Sequence, residues 1–181
     1  NWNIENVFTI SFWYKSQVLD TRTAFSLGRG TMEDEILVYI RSNETLFYHH
    51  KRGGNWAMLS SASNNSTWNH FAGIVTGGFA ENQMNVFSNG KDIPTAYTTD
   101  GIPALLSDAI VRKLRIGRRV SDDGFFNGSI DDVRIYDRAL SAVEVTALYE
   151  LEKPTLLEDG EGESRPGIVA DTRAGKNDGK D

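Results

Sequence analysis

The most constraining feature of this 181-residue sequence is a strand that runs directly into a capped helix near residue 140. Ile130, Val133 and Ile135 stand among β-forming residues after a glycine-marked turn, a pattern typical of a strand with a buried face. Ser141 and Glu144 have the spacing of a capping box, in which each side chain satisfies a backbone amide of the other residue. Apolar residues then follow at helical spacing and predict one short amphipathic helix: Leu140, Val143, Ala147, Leu148 and Leu151.

Another strand is predicted near the start of the sequence, at residues 7–15. Phe8, Ile10, Phe12 and Tyr14 share one parity, which is the alternation of a strand with one face on a core. Trp13 has the opposite parity, so its side chain should point away from that core. It either packs beneath a second sheet or loop, or offers a platform on which a sugar ring stacks.

The strand near residue 130 resembles the closing segment of laminin-G-like domains, which are concanavalin A-like jelly rolls. The matching residues are Gly128, Ile130, Asp131, Asp132, Val133, Arg134, Ile135, Tyr136, Arg138, Ala139, Leu140 and Ser141. Three further segments match the family in the expected order, at residues 8–14, 68–72 and 114–117. The resemblance covers residues 7–149 and implies an all-β fold, an antiparallel jelly-roll β-sandwich with one short C-terminal helix. It also implies a mostly non-catalytic domain, extracellular or on the cell surface, whose ligand the fold alone does not name.

Composition narrows the classes of partner. The net charge of −6 argues against nucleic acid and anionic membranes, since both reward clustered Lys and Arg. No apolar run approaches the roughly 18 residues of a membrane span, so membrane insertion is not expected. The absence of cysteine excludes a disulfide framework and a cysteine-based zinc site. Cations or neutral sugars are the favoured ligands.

Aromatic and planar polar residues are concentrated on the strands predicted between residues 36 and 59. They form the candidate ligand-binding set Tyr39, Arg41, Tyr48, His49, Arg52 and Trp56, to which Tyr97 and Asp100 are added from the predicted irregular connection 92–108. Sugars bind such surfaces by laying an apolar ring face on an aromatic side chain while their hydroxyls meet Arg, Asn or His. His49 and His50 point to opposite faces and so do not form a metal pair. The alternative is that these aromatics are ordinary strand residues.

Three contiguous acids, Glu33, Asp34 and Glu35, precede one of these strands. Jelly-roll glycoside hydrolases place a nucleophile and an acid at strand alternation so that both face one cleft. The contiguous acids fail that pattern, and a solvated loop end is the favoured interpretation. A glycoside hydrolase relative remains a lesser alternative.

A structural calcium site is implied by the resemblance at the other acidic cluster, Asp122, Asp123, Asp131 and Asp132. In several jelly-roll relatives an Asp of the last strand, here matched by Asp131, holds calcium together with carbonyls of nearby loops. We expect Asp131 and Asp122 as ligands, joined by Asp171 and Asp178 if the C-terminal tail lies close. The alternative is an Asp-Asp-Gly turn that forms without an ion.

The chain is predicted to divide into a domain at 1–153, an acidic flexible linker at 154–166 and a strand-like tail at 167–181. The tail resembles the segment that begins family members, yet it stands at the other end, while the jelly roll that starts at Val7 lacks the family's first strand. The tail folds back to fill the gap, or it is exchanged with another molecule, or the match is due to chance.

The sequence therefore predicts a non-catalytic extracellular binding or adhesion module that recognises a glycan or glycoprotein and is stabilised by calcium. The alternative is a structural building block that self-associates by strand exchange through its C-terminal tail.

Overall fold

The fold was analysed in a computed structural model of the chain. The structure describes residues 6–16, 21–28, 35–41, 43–50, 56–62, 67–101, 113–121, 124–153, 155–156 and 163–164. The strands are β1 (Val7–Ser16), β2 (Arg22–Gly28), β3 (Glu35–Arg41), β4 (Glu44–His50), β5 (Trp56–Ala62), β6 (Asn69–Thr76), β7 (Met84–Ser88), β8 (Lys91–Asp92), β9 (Ala96–Thr99), β10 (Lys113–Ile116), β11 (Gly128–Tyr136), β12 (Thr155–Leu156) and β13 (Glu163–Ser164). The helix is α1 (Ala142–Glu152), and a single 3₁₀ turn spans Glu81–Gln83.

Two antiparallel sheets form a sandwich. The five-stranded sheet has the order β11-β1-β6-β7-β8, and the six-stranded sheet has the order β10-β2-β3-β4-β5-β9. β12 and β13 pair with each other as a separate hairpin within the predicted linker. The core between the sheets is rich in aromatic side chains, among them Phe8, Phe12, Phe25, Phe47 and Phe71. The predicted all-β sandwich with one short C-terminal helix is confirmed.

β1 is buried on both faces. Phe8, Ile10, Phe12 and Tyr14 point into the core between the sheets, as their parity predicts. Trp13 points to the other side of the five-stranded sheet and is almost completely buried there, stacked on Tyr149 with ring centroids 5.6 Å apart. Trp13 therefore packs beneath another element and is not a sugar platform, but the element that covers it is the helix α1 and not the predicted sheet or loop.

α1 is the element that covers Trp13, and it begins at the predicted capping box. The Ser141 hydroxyl accepts from the Glu144 amide at 3.3 Å, and the Glu144 carboxylate accepts from the Ser141 amide at 2.8 Å. The buried face of the helix differs from the prediction, because Val143 is 78% and Leu151 73% exposed. Only one stripe of a helix can face a sheet. In α1 the buried residues of that stripe are Val145 and Glu152.

The last turn of α1 is fastened to the sheet by Glu152. Its carboxylate accepts a hydrogen bond from Trp13 Nε1 at 3.1 Å and forms an ion pair with Arg134 of β11. These polar contacts add to the apolar packing of Val145 on Ala72, Ile74 and Phe87, and the spacing of apolar residues along the helix does not reveal them.

A tight turn at Asn89–Gly90 joins β7 to β8 beneath the same helix. Both residues have positive φ, 51° and 74°, which suits the right-handed twist of the strands. A Cβ on Gly90 would lie 2.8 Å from Tyr149 Cβ, and Gly90 O accepts a hydrogen bond from Thr146. The turn therefore requires glycine for conformation and for space.

Candidate functional site

The outer face of the six-stranded sheet, turned away from the core, carries three neighbouring aromatic rings. They come from successive strands, Tyr39 on β3, Tyr48 on β4 and Trp56 on β5, and we call them the aromatic row. The ring centroids of Tyr39 and Tyr48 are 6.3 Å apart, and those of Tyr48 and Trp56 are 5.8 Å apart. All three side chains are half-buried, so each ring retains surface that a ligand can cover.

Strand alternation explains why these rings share a face. Val38 and Phe47 are buried in the core, and the residues next to them in the chain therefore point outward. The register pairs Val38 with Phe47 and Leu37 with Tyr48, so the outward residues of β3 and β4 are direct neighbours. The aromatic row thus follows from ladder pairing and alternation together.

A buried ion pair lies on the same face. Glu35 shares the parity of Tyr39 on β3 and is completely buried, and Arg119 donates to its Oε2 through Nε at 3.0 Å and through Nη2 at 2.5 Å. Glu35 Oε1 is buried and accepts no hydrogen bond within the part of the chain that the structure describes. The Glu35 carboxylate is therefore a buried partner of Arg119, enclosed by the protein rather than exposed to a ligand.

The Arg119 segment crosses the outer face because it is fastened to β2. Ser26 donates a hydrogen bond through its hydroxyl to the carbonyl of Arg118 at 2.9 Å, and Val120 is buried beside Gly28. This segment follows β10 and forms one wall beside the aromatic row.

The surroundings of Tyr48 shift the pKa of its hydroxyl group. Burial, together with the neighbouring Tyr39, raises the pKa of Tyr48 to about 12, while Arg119 acts in the opposite direction. Asp100 and Glu35 add further upward contributions to this pKa. The Tyr48 phenol consequently remains a neutral hydrogen-bond donor at any physiological pH.

Asp100 and Arg41 mark two ends of the face. Asp100 Oδ1 accepts a hydrogen bond from the Trp56 amide at 2.7 Å, which fastens the end of β9 to the start of β5. Arg41 lies on the parity of Tyr39 at the opposite end of β3 from Glu35, and its guanidinium is 3.9 Å from the Glu44 carboxylate. The predicted residues Tyr39, Arg41, Tyr48 and Trp56 are therefore brought to one face.

Two predicted ligand-binding residues belong to the core side and are corrected. His49 is completely buried and stacks on Phe79 with ring centroids 3.8 Å apart, because it follows the outward Tyr48. Tyr97 lies on a strand that pairs with β5, not in an irregular connection, and its hydroxyl donates to Phe79 O at 2.9 Å. Arg52 lies outside the described residues.

Glu35 and Arg119 are the residues of this face that the sequence prediction missed. Glu35 was interpreted as a solvated loop end, which is wrong because the residue is fully buried within β3. Its parity with Tyr39 is a signal that could have placed it on the aromatic face. Arg119 carries no comparable signal, since it lies 84 positions away in the chain.

The predicted calcium site is described only at Asp131. This residue lies at a bulge where β11 shifts register against β1, and its Oδ1 accepts the amide of Asp132 at 2.8 Å. Asp122, Asp171 and Asp178 lie outside the described residues. Within the described ranges there is no group of three or more acidic or histidine side chains that could hold a metal ion. Asp131 alone does not make a calcium site, which needs six to eight oxygens, so calcium stays a prediction.

Among the described helices none is long and apolar enough to cross a membrane.

Comparison with known families gives a match over most of the chain. The laminin G family model described as concanavalin A-like lectin/glucanases superfamily matches residues 1–146. The zebrafish (Danio rerio) protein adhesion G-protein coupled receptor V1 is 26% identical over 166 residues, which are 86% of this chain and 2% of that receptor. The chain thus corresponds to a small part of the curated relative that it matches.

Solved structures of similar fold include carbohydrate-binding domains. The CBM40 domain of the Ruminococcus gnavus IT-sialidase, bound to α2,3-sialyllactose, aligns with a TM-score of 0.62 at 20% identity, covering 81% of this chain and 84% of that one. Domain 4 of the extracellular arabinanase AbnA from Geobacillus stearothermophilus, in complex with arabinotriose, aligns with a TM-score of 0.57 at 21% identity, covering 80% of this chain and 67% of that one. At these identities the similarity establishes the fold.

Proposed function

This chain belongs to the concanavalin A-like lectin/glucanases superfamily, and on that premise we propose that it is a non-catalytic extracellular or cell-surface module that binds glycans. The observation that carries the proposal is the aromatic row of Tyr39, Tyr48 and Trp56 on the outer face of the six-stranded sheet. Two solved structures of the same fold hold sialyllactose and arabinotriose, which supports a sugar as the class of ligand.

Recognition combines stacking with hydrogen bonds. The apolar face of a sugar ring lies on an aromatic ring of the row, because this removes apolar surface of both partners from water. The neutral Tyr48 hydroxyl donates to a sugar oxygen. A short oligosaccharide can cover more than one ring of the row.

The charges beside the row favour a neutral glycan. Arg119 is already neutralised by Glu35, and Asp100 adds a carboxylate at the Trp56 end. Arg41, the other cation of this face, lies at the far end of β3 beside Glu44. An acidic sugar would therefore meet no cation dedicated to its carboxylate among Arg119, Glu35 and Asp100, whereas a neutral sugar meets the Tyr48 donor. A non-catalytic role fits the same geometry, since the Glu35 carboxylate is bound by Arg119 and buried, which does not suit a nucleophile or general acid.

A glycan array probed with the full chain is the first experiment, followed by calorimetric titration of the best neutral oligosaccharide. Trp56→Ala is expected to weaken binding at least tenfold, about 1.4 kcal/mol, because it removes one stacking surface. Tyr48→Phe and Tyr97→Phe make the same chemical change on opposite faces of the sheet. Tyr48→Phe should weaken binding severalfold, and Tyr97→Phe should leave it unchanged.

The result against the proposal is an array with no bound glycan, or equal losses for the two Tyr→Phe variants. Release of reducing sugar from a β-glucan, abolished by Glu35→Gln, would replace a binding module by an enzyme. The self-association alternative predicts a molar mass that rises with concentration and no sugar binding.

Calcium remains a part of the proposal. The proposed ligands are Asp131, which lies among the described residues, and Asp122, Asp171 and Asp178, which do not. A calcium ion bound only by the folded chain would raise its melting temperature, because binding to the native state stabilises that state. An equal melting temperature with calcium and with chelator would remove calcium from the account.

A further inference from the structure

The aromatic row runs obliquely across the six-stranded sheet and not straight across its strands. Tyr48 is paired with Leu37, which lies two positions before Tyr39 on β3. Trp56 is paired with His50, which lies two positions after Tyr48 on β4. Because β3 and β4 are antiparallel, both steps go in the same direction along the sheet. Each step combines about 4.8 Å between strands with about 6.8 Å for two residues along a strand, so the rings follow one diagonal line.

The spacing of the rings along this diagonal suits a linear chain of sugars. Neighbouring centroids are 6.3 Å and 5.8 Å apart, which is close to the length that one pyranose residue adds to a linear glycan. Glu35, which holds Arg119, and the half-buried Met58 lie on opposite sides of the diagonal, so a chain on the rings passes between them. Three consecutive sugars can therefore cover the three rings, one sugar to each ring.

The tilts of the rings decide which shape of chain can stack on all of them. The ring planes of Tyr39 and Tyr48 are inclined to each other at 51°, and those of Tyr48 and Trp56 at 35°. No flat surface can lie parallel to two planes that differ so much, so a flat ribbon of sugars stacks fully on one ring only. In a chain whose successive sugar faces turn, each sugar can lie parallel to its own ring. The turning chain removes more apolar surface from water and therefore binds more tightly.

We propose that the aromatic row selects a neutral linear glycan with a turning, helical backbone over a flat ribbon. Three consecutive sugars of this glycan lie on Trp56, Tyr48 and Tyr39 along the diagonal. The inference rests on the proposed function, because it names the class of glycan that the same face binds. The linkage between sugars sets the shape of the backbone: glucose linked as in cellulose forms a flat ribbon, whereas glucose linked as in laminarin or amylose forms a helix.

Calorimetric titration of the full chain with tetrasaccharides of glucose tests this inference. Cellotetraose represents the flat ribbon, and laminaritetraose and maltotetraose represent the turning chains. All have the same formula and no charge, so a difference in affinity between them reports the shape of the chain. We expect one of the two turning chains to bind about tenfold more tightly than cellotetraose. Its trisaccharide should bind nearly as tightly and its disaccharide severalfold more weakly, because the row has three rings.

Truncation at the far end of the row tests whether the glycan spans all three rings. Tyr39→Ala should weaken binding of the preferred tetrasaccharide about fivefold, because it removes one stacking ring. Tyr136→Ala makes the same truncation on the five-stranded sheet, where Tyr136 packs beside Leu140 and Val145. This control should leave the affinity for the tetrasaccharide unchanged. Melting curves of both variants establish that each is folded at the temperature of the titration.

Three results would overturn this inference. Cellotetraose binding as tightly as the better of the two turning chains would show that the tilts do not select shape, and it would leave the proposed function intact. An unchanged affinity of Tyr39→Ala would show that the chain does not reach the end of the row. Binding of none of the three tetrasaccharides would also end the inference, and the glycan array then decides separately whether the proposed function fails with it.

Discussion

Removal of Arg119 is the perturbation with the largest effect predicted at the aromatic face. Arg119→Met keeps much of the aliphatic stem but leaves the carboxylate of Glu35 buried without its cation. Glu35 is completely buried, and both guanidinium hydrogen bonds end on the same carboxylate oxygen. Breaking a buried ion pair by removing one partner costs about 3–5 kcal/mol. For a chain of this size that corresponds to a fall in melting temperature of roughly 6–20 °C.

The complementary variant separates charge from packing. Glu35→Gln should cost less than Arg119→Met, because Arg119 retains some exposure to water whereas Glu35 has none. The double variant should recover at least half of the loss caused by Arg119→Met, since no uncompensated charge is left in the sheet. Urea unfolding of wild type, the two single variants and the double variant, monitored by tryptophan fluorescence, completes this double-mutant cycle. A cost below about 1 kcal/mol for Arg119→Met, or a double variant equal to the sum of the singles, would refute the reasoning.

Three further variants test the packing beneath α1 and the pKa of Tyr48. Gly90→Ala should lose at least about 2 kcal/mol in urea unfolding, because it forces alanine into positive φ and its Cβ against Tyr149; a change of a few tenths would contradict the close approach of turn and helix. Trp13→Phe should cost about 2 kcal/mol and speed amide exchange in the last turn of α1, because the hydrogen bond to the Glu152 carboxylate is lost; unchanged exchange there would be inconsistent with this anchor. The raised pKa of Tyr48, about 12 against about 10 in an unfolded chain, means that its contribution to stability is complete below pH 10 and is lost as the pH rises toward 12. Absorbance titration of wild type and Tyr48→Phe checks this. The variant should lack a tyrosine that titrates near pH 12, and the loss of one that titrates near pH 10 instead would contradict the prediction.

The parts of the fold that the sequence predicted are those set by local pattern. The alternation of Phe8, Ile10, Phe12 and Tyr14 predicted β1, and it placed Trp13 on the other face because adjacent strand residues must oppose. The capping box at Ser141 is equally local, and it is present. Such features depend only on residues that are close together in the sequence.

The parts that the sequence did not predict depend on distant contacts. Alternation places Tyr48 and His49 on opposite faces of β4, but which of the two faces the core follows from the packing of Phe47 and His49 against distant residues such as Phe79. The buried face of α1 includes Glu152, which accepts a hydrogen bond from Trp13, 139 positions earlier, a contact that helical spacing does not reveal. The pairing of Glu35 with Arg119 likewise arises from the path of the chain after β10 across the sheet.

The most direct test of the central claim is a map of backbone amide chemical shifts during titration of the full chain with the oligosaccharide that binds best on the array. The account predicts shifts centred on Tyr39, Tyr48 and Trp56, extending to Arg119 and Asp100, with α1 unaffected. Shifts centred on the helix side of the five-stranded sheet, or around Asp131 with the aromatic row unchanged, would contradict the claim that this face is where the protein binds glycans.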